Sequence, residues 1–285
     1  MTGTLYLVAT PIGNLEDMTL RAIRVLREAD LIACEDTRTS QPLLRHFDIA
    51  TPLTSYHKFN EHLKSEALTQ TLLGGKNVAL ITDAGMPVIS DPGSILVREC
   101  RALGIPVTVV PGANAALTAL ALSGADSRRF VFEGFMPQDN KEKAAVLEGL
   151  KTQTATTIFY EAPHRLKKTL KELAEALDSD GSRLISLCRE LTKKFETVET
   201  MTLDEAVKKY ESEEPRGEYV LILEGRDPAG LKREKEAAWE SMSVADHVAL
   251  YEEQGLDRKA AMKAAASDRG VSKRDIYAAL IDSDS

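Results

Sequence analysis

Short apolar runs, each closed by Gly, Pro or Asp, recur through the first part of the chain at Leu5 to Ala9, Leu31 to Cys34, Val78 to Thr82 and Val107 to Val110. Continuous runs of this length suit parallel strands buried on both faces. Between them, apolar residues spaced three or four apart (Leu20, Ile23, Leu26; Leu96, Cys100, Leu103) predict helices, with Gly104 placed to stop the second. The alternation predicts an α/β layered domain over residues 1–112.

Beyond that point the pattern changes. FVFEGF, TTIFYEA, LISLCREL and EYVLILEG are strand-like, and helices are predicted over Lys141 to Leu150 and Pro163 to Leu177. In FETVETMTL apolar and polar positions alternate, as in an antiparallel strand with one solvated face. A second α/β domain with a mixed sheet is expected over residues 113–226. GRDPAGLKREKEAAWES then has no strong apolar face and opens with Gly and Pro, so residues 227–242 read as a linker.

A small helical domain is expected over residues 243–285. Ala260 to Ala266, a turn at Asp268 to Val271, and Ser272 capping a helix through Leu280 together have helix-turn-helix shape. From Arg258 to Arg274 six basic residues face one acid, Asp268. That local excess suits either nucleic-acid contact or a solvated helical hairpin.

Charge sharpens this choice. The 285-residue chain carries a net charge of -8, which argues against a surface that coats nucleic acid broadly and leaves only a local basic patch. Cys34, Cys100 and Cys188 lie far apart in apolar stretches, without CxxC pairs, as small core residues of a reducing compartment. MTGTLYLVATPIGN has no cationic lead into an apolar stretch, and no window suits a membrane span, so a cytoplasmic location is expected.

Candidate chemistry sits at the strand ends. Dinucleotide, P-loop, zinc-protease and nucleophile-elbow fingerprints are all missing. Instead three strands run into turns poor in side-chain bulk, ATPIGN at 9–14, TDAGMPVISDPG at 82–93 and VPGANAA at 110–116. In a parallel sheet the carboxyl ends of the strands lie along one edge, where ligands bind, so the three turns are expected to meet. Gly85 would let backbone approach a ligand, while Asp91 would cap and Pro92 start the next helix.

DAGMPVISDPG, VATPIGNLEDMTLRA, ACEDTR, VPGANAALTAL, FEGFMP, FYEAPHR, CRELTKKFE and RGEYVLILEG stand in one order across residues 3–225. Together they resemble the tetrapyrrole methylase superfamily, and within it the small-subunit ribosomal RNA (cytidine-2'-O)-methyltransferases. The resemblance implies two α/β domains with S-adenosyl-L-methionine in the cleft between them, a homodimer, and a ribosomal RNA substrate in the small subunit. By the same analogy Pro11, Ala84, Gly85, Met86, Val88, Ser90, Asn114, Ala115, Tyr160, Glu161, Leu191 and Pro215 line the cofactor site, mostly through backbone. One departure is visible. Many tetrapyrrole-methylating members have Gly-Asp-Pro where Gly85, Met86 and Pro87 stand here, so a carboxylate at position 86 is missing and Asp83 or Asp91 would have to supply it.

Methyl transfer to a ribose hydroxyl requires in-line positioning and removal of a proton. Glu35, Asp36 and Arg38 in CEDTR, and Arg189 and Glu190 in CREL, are candidates for proton transfer or charge stabilisation. Such residues equally form structural ion pairs at strand ends. His164 and Arg165 open a helix where phosphate or substrate contact is possible, and Lys141, Lys263, Lys273 and Arg274 are further candidates for RNA contact. His57 and His62 have no third ligand at metal spacing, and no metal is expected. Two other functions remain open on the residues alone. A tetrapyrrole methyltransferase shares the fold without needing the basic hairpin, and a helix-turn-helix DNA-binding regulator would use the large domains as a ligand sensor.

Overall fold

The structure is a computed structural model that describes residues 1–177 and 183–283. Two compact units are present, one of residues 1–148 and 155–224, the other of 149–154 and 225–285.

The first unit holds two five-stranded sheets. Strands β1 (Leu5–Val8), β2 (Leu31–Cys34), β3 (Leu53–Ser55), β4 (Val78–Leu80) and β5 (Val107–Val110) run parallel in the order β3-β2-β4-β1-β5. Their connections include α1 (Leu20–Glu28), α2 (Thr37–His46), α3 (Glu61–Leu73) and α4 (Ser94–Ala102). Successive strand residues feed opposite layers. Val8, Ile32 and Ala79 pack with Ala22, Val25 and Leu44, whereas Leu5, Leu7 and Leu80 pack with Leu68, Leu72 and Leu96. Both faces are therefore covered, which explains the continuous apolar runs.

The second sheet is mixed, as the alternation in FETVETMTL predicted. It is built from β6 (Phe130–Phe135), β7 (Thr156–Glu161), β8 (Leu184–Arg189), β9 (Thr197–Thr202) and β10 (Tyr219–Leu223), ordered β6-β7-β10-β8-β9. Only β6 and β7 pair in parallel. A helix after β5, α5 (Ala115–Ser123), packs Ala116, Ala119 and Leu120 onto Ile158, Cys188, Val220 and Ile222 of this sheet. Helices α6 (Asn140–Leu150), α7 (Pro163–Leu177) and α8 (Leu203–Ser212) complete the connections.

The second unit contains α9 (Pro228–Ser241), α10 (Val244–Glu253), α11 (Arg258–Asp268) and α12 (Lys273–Ser283). The segment read as a linker is thus a helix. Asp227 accepts hydrogen bonds from the Ala229 and Gly230 amides, Pro228 occupies the first turn, and Lys232 and Glu236 form an i,i+4 pair. A Gly/Pro opening that reads as a connector is also how helices begin. Val248, Ala261, Ala265, Ile276 and Leu280 form a core of its own. Ser272 caps α12 as expected, its hydroxyl accepting from the Asp275 amide.

Candidate active site

At the carboxyl edge of the parallel sheet the turns after β1, β4 and β5 do meet. Thr10 and Gly85 form an isolated bridge, with the Thr10 amide donating to the Gly85 carbonyl at 2.9 Å and the reverse bond at 3.1 Å. Gly85 has φ +83°, and a Cβ there would lie 3.2 Å from Ile12 Cγ2 and 3.7 Å from the Ala113 carbonyl oxygen. Residues of all three turns line a cleft of about 560 Å³, whose other wall comes from the second sheet.

The long turn holds backbone that L-residues seldom adopt. Val88 and Ser90 have φ 77° and 64°. Gly93 makes this possible, since a Cβ on it would lie 2.8 Å from both Leu80 Cδ2 and Val88 Cγ2. The helix behind the turn begins at Ser94, with Gly93 at its cap position. The expectation that Asp91 caps and Pro92 starts that helix is corrected. The Gly93 amide instead donates to Glu61 Oε1 at 2.8 Å, and Asp91 is left to line the cleft.

Of the residues assigned to the cofactor by resemblance, Ala84, Gly85, Met86, Ser90, Asn114, Ala115, Tyr160, Glu161 and Leu191 line this cleft, together with Glu35 and His164. Pro11, Val88 and Pro215 are not among its lining residues. Asn114 also caps α5, accepting from the Leu117 amide at 3.0 Å. Tyr160 is set by edge-on contacts to Phe132 and Phe135 at 5.0 and 5.7 Å. Residues not singled out for the site also appear. Ile12, Cys188 and Val220 form apolar wall, and Phe135, Glu218 and Tyr219 add to the second-sheet side. Cys188 and Val220 carried only a core-strand signal, so nothing in their sequence context marked them.

Three carboxylates converge on one end, from Glu35, Asp83 and Asp91. All three have pKa values raised above the ordinary carboxylate range, first by burial. For Glu35 the neighbouring Asp91 and Asp83 charges add to the rise, against hydrogen bonding from Thr82. Asp36 and Arg38 are arranged differently. Asp36 caps α2 by accepting from the Arg38 amide at 2.8 Å, and a 2.7 Å ion pair with the exposed Arg38 holds its pKa down to about 2.

Glu161 is buried at 2% exposure. Its carboxylate accepts from the Thr169 hydroxyl at 2.5 Å and the Ala162 amide at 2.9 Å, and Arg165 Nε lies 3.5 Å away. Arg165 also donates to the Met136 carbonyl at 2.5 Å. Glu190, in left-handed backbone at φ 51°, pairs with Lys193 at 3.0 Å and accepts from the Glu218 amide at 3.0 Å, which lowers its pKa. Arg189 ends β8 with its Nε buried and without a hydrogen-bond partner among the described residues. Neither Arg189 nor Glu190 lines the cleft, and the exposed Lys141 stands in the first turn of α6.

In the helical unit Lys263 and Arg274 are exposed and Lys273 half-buried. Arg269, one of the six basic residues of that run, turns inward, donating to His247 Nδ1 at 3.0 Å and to the Met242 carbonyl at 2.6 Å. Among the described residues no cluster of His, Cys, Asp or Glu could hold a metal ion, and no helix is long and apolar enough to cross a membrane.

Residues 4–207 match the family described as Tetrapyrrole (Corrin/Porphyrin) Methylases. A protein of Halalkalibacterium halodurans named ribosomal RNA small subunit methyltransferase I is 52% identical over 276 residues, covering 96% of this chain and 93% of the relative. A Bacillus subtilis protein of the same name is 47% identical, with the same shares covered. Among solved structures, a Thermus thermophilus uroporphyrin-III C-methyl transferase complexed with S-adenyl homocysteine is 20% identical. It superposes with a TM-score of 0.56, covering 78% of this chain and 97% of its own.

Proposed function

The chain belongs to the tetrapyrrole (corrin/porphyrin) methylase family, and from that premise we propose that it is an S-adenosyl-L-methionine-dependent methyltransferase acting on small-subunit ribosomal RNA. The product is 2'-O-methylcytidine, formed on the assembled subunit in the cytoplasm by a homodimer. The observation that carries this reading is identity of 52% over 96% of the chain, which runs past the family's residues 4–207 into the helical C-terminal unit. A tetrapyrrole enzyme or a DNA-binding regulator accounts for only one part of that length.

The cleft fits the cofactor on its own geometry. Its volume of about 560 Å³ lies within the range of small-molecule sites. Gly85 carries no side chain among the lining residues, and a Cβ on it would press on Ile12, another residue of the cleft wall. Ile12, Cys188, Leu191 and Val220 offer apolar wall for an adenosyl group, and the carboxylate end suits the cofactor's α-ammonium group and sulfonium. When bound, S-adenosyl-L-methionine supplies a methyl group on a positively charged sulfur whose departure leaves a neutral thioether. No metal is needed for that step.

The protein's share of the chemistry is positioning and proton removal. Glu35, just after β2, is the proposed acceptor of the ribose hydroxyl proton, its pKa raised first by burial and then by the neighbouring Asp91 and Asp83 charges. His164 at the start of α7 faces the same cleft and serves the substrate side. Lys263, Lys273 and Arg274 are proposed to add phosphate contacts from the helical unit.

The test incubates the enzyme with labelled S-adenosyl-L-methionine and undermethylated small ribosomal subunits, then digests the RNA and identifies the nucleoside. Labelled 2'-O-methylcytidine supports the reading, while base methylation or no product overturns it. Naked ribosomal RNA methylated as efficiently as subunits would overturn recognition of the assembled particle.

A further inference from the structure

Two Lys-Phe pairs stand out from the unit that carries the cleft, one from each half. Phe59 is 96% exposed and Phe195 62% exposed. Apolar rings of this size left in water serve no core, and each has a cation beside it in sequence. Lys194 Nζ lies 5.6 Å from the Phe195 ring centroid, and neither Lys58 nor Lys194 forms an ion pair among the described residues.

Both pairs are tethered to the cleft loops. The turn bearing Phe59 is closed by the His57 amide donating to Asn60 Oδ1 at 2.8 Å. Two residues after the ring, Glu61 accepts from the Gly93 amide and the Tyr56 hydroxyl, which locks this turn to the end of the loop over residues 82–93. The turn bearing Phe195 begins just after Leu191, which lines the cleft, and is closed by the Thr192 amide donating to Glu196 Oε2 at 2.6 Å. Its Lys193 packs against Gly13, where a Cβ would lie 2.5 Å from Lys193 Cγ.

A chain of net charge -8 cannot rely on a broad cationic surface to hold RNA. Discrete aromatic platforms with a neighbouring cation solve that problem, because every nucleobase has a face to stack and a phosphate close by. We infer that Phe59 and Phe195 stack on unpaired nucleobases flanking the target nucleotide, with Lys58 and Lys194 on the adjoining phosphates. The inference rests on the RNA reading given above. It also requires the target strand to be single-stranded at the cleft, because only unpaired bases offer a free face to the two rings.

The test measures steady-state methylation of undermethylated small subunits by Phe59→Ala, Phe195→Ala, and the Trp and Leu variants at both positions. Each alanine variant should raise KM for subunits roughly 5- to 150-fold, with kcat little changed. S-adenosyl-L-methionine affinity and the sedimentation of the free enzyme should stay as in the wild type. Trp should keep KM near the wild-type value and Leu should not. Unchanged KM in the alanine variants, full rescue by Leu, weakened cofactor binding or altered self-association would each overturn the inference. An inactive wild-type enzyme would instead overturn the functional reading itself.

Discussion

Thr10 and Gly85 exchange both of their backbone hydrogen bonds, joining the turn after β1 to the turn after β4 at the floor of the cleft. The joint depends on Gly85 holding φ +83° with Ile12 at its back. Gly85→Ala should cost about 1–2 kcal/mol for left-handed backbone alone. The displaced Ile12 should also weaken S-adenosyl-L-methionine binding by roughly tenfold, an effect read by titration calorimetry.

Glu161 anchors the start of α7 from a fully buried position. Removing it orphans the Thr169 hydroxyl and the Ala162 amide, at about 1–3 kcal/mol for each buried group left unsatisfied, and takes the counter-ion from the partly exposed Arg165. Glu161→Ala should therefore lower the urea midpoint sharply. Glu161→Gln should lose less, since its side-chain oxygen can still accept from the Ala162 amide while its NH2 group donates to the Thr169 hydroxyl, which turns to accept.

The raised pKa of Glu35 carries a sign. A carboxyl group with a folded pKa above its unfolded value stabilises fully below the unfolded pKa, near 4.5, and that stability is lost as pH rises through the folded pKa. At neutral pH the fold therefore bears the cost of this charge. Glu35→Gln should melt above the wild type at pH 7, with the gap closing below about pH 4. The same variant should lose roughly 100- to 10,000-fold in kcat, and the acid limb of the wild-type rate profile should lie above the ordinary carboxylate range.

His247 is fully buried, stacked 5.2 Å from Trp239 and 5.6 Å from Tyr251. Arg269 donates to its Nδ1, so the neutral ring is the one the fold holds. Burial and that guanidinium lower its pKa, against the opposing pull of Asp268, whose Oδ2 lies 3.4 Å from Nε2. A His with a depressed folded pKa contributes stability above its unfolded value, near 6.5, that is lost as pH falls through the folded pKa. Acidification below about pH 6.5 should loosen the helical unit. Trp239, the chain's single tryptophan, reports this directly by fluorescence, and His247→Phe should abolish the pH dependence.

Much of the layered fold was legible because burial on both faces of a parallel sheet demands unbroken apolar runs, and these are visible in one dimension. Helix α7 begins where the pattern predicts, at Pro163, and is helical through Leu177, where the described segment stops. The three-residue strand β3 escaped notice, since LTS is too short and only half-buried to differ from a loop. Helix α9 was read as a linker because its own sequence lacks a strong apolar face, while its cap and ion pair operate through side-chain geometry.

The chain's order of motifs determined the family, and its bulk-free turns marked the strand ends that meet at the cleft. Which carboxylates share a cleft was settled only in three dimensions. Glu35, Asp83 and Asp91 come from the ends of two strands and a loop, and Asp91 is free to line the cleft because Gly93, and not Asp91, occupies the helix cap. Arg165 and Arg269 look like RNA contacts in a string of letters, yet their guanidiniums are committed inside the fold to carbonyls, Glu161 and His247. A sequence records which charges exist. Which of them remain to meet a ligand depends on the partners that folding brings within hydrogen-bonding distance.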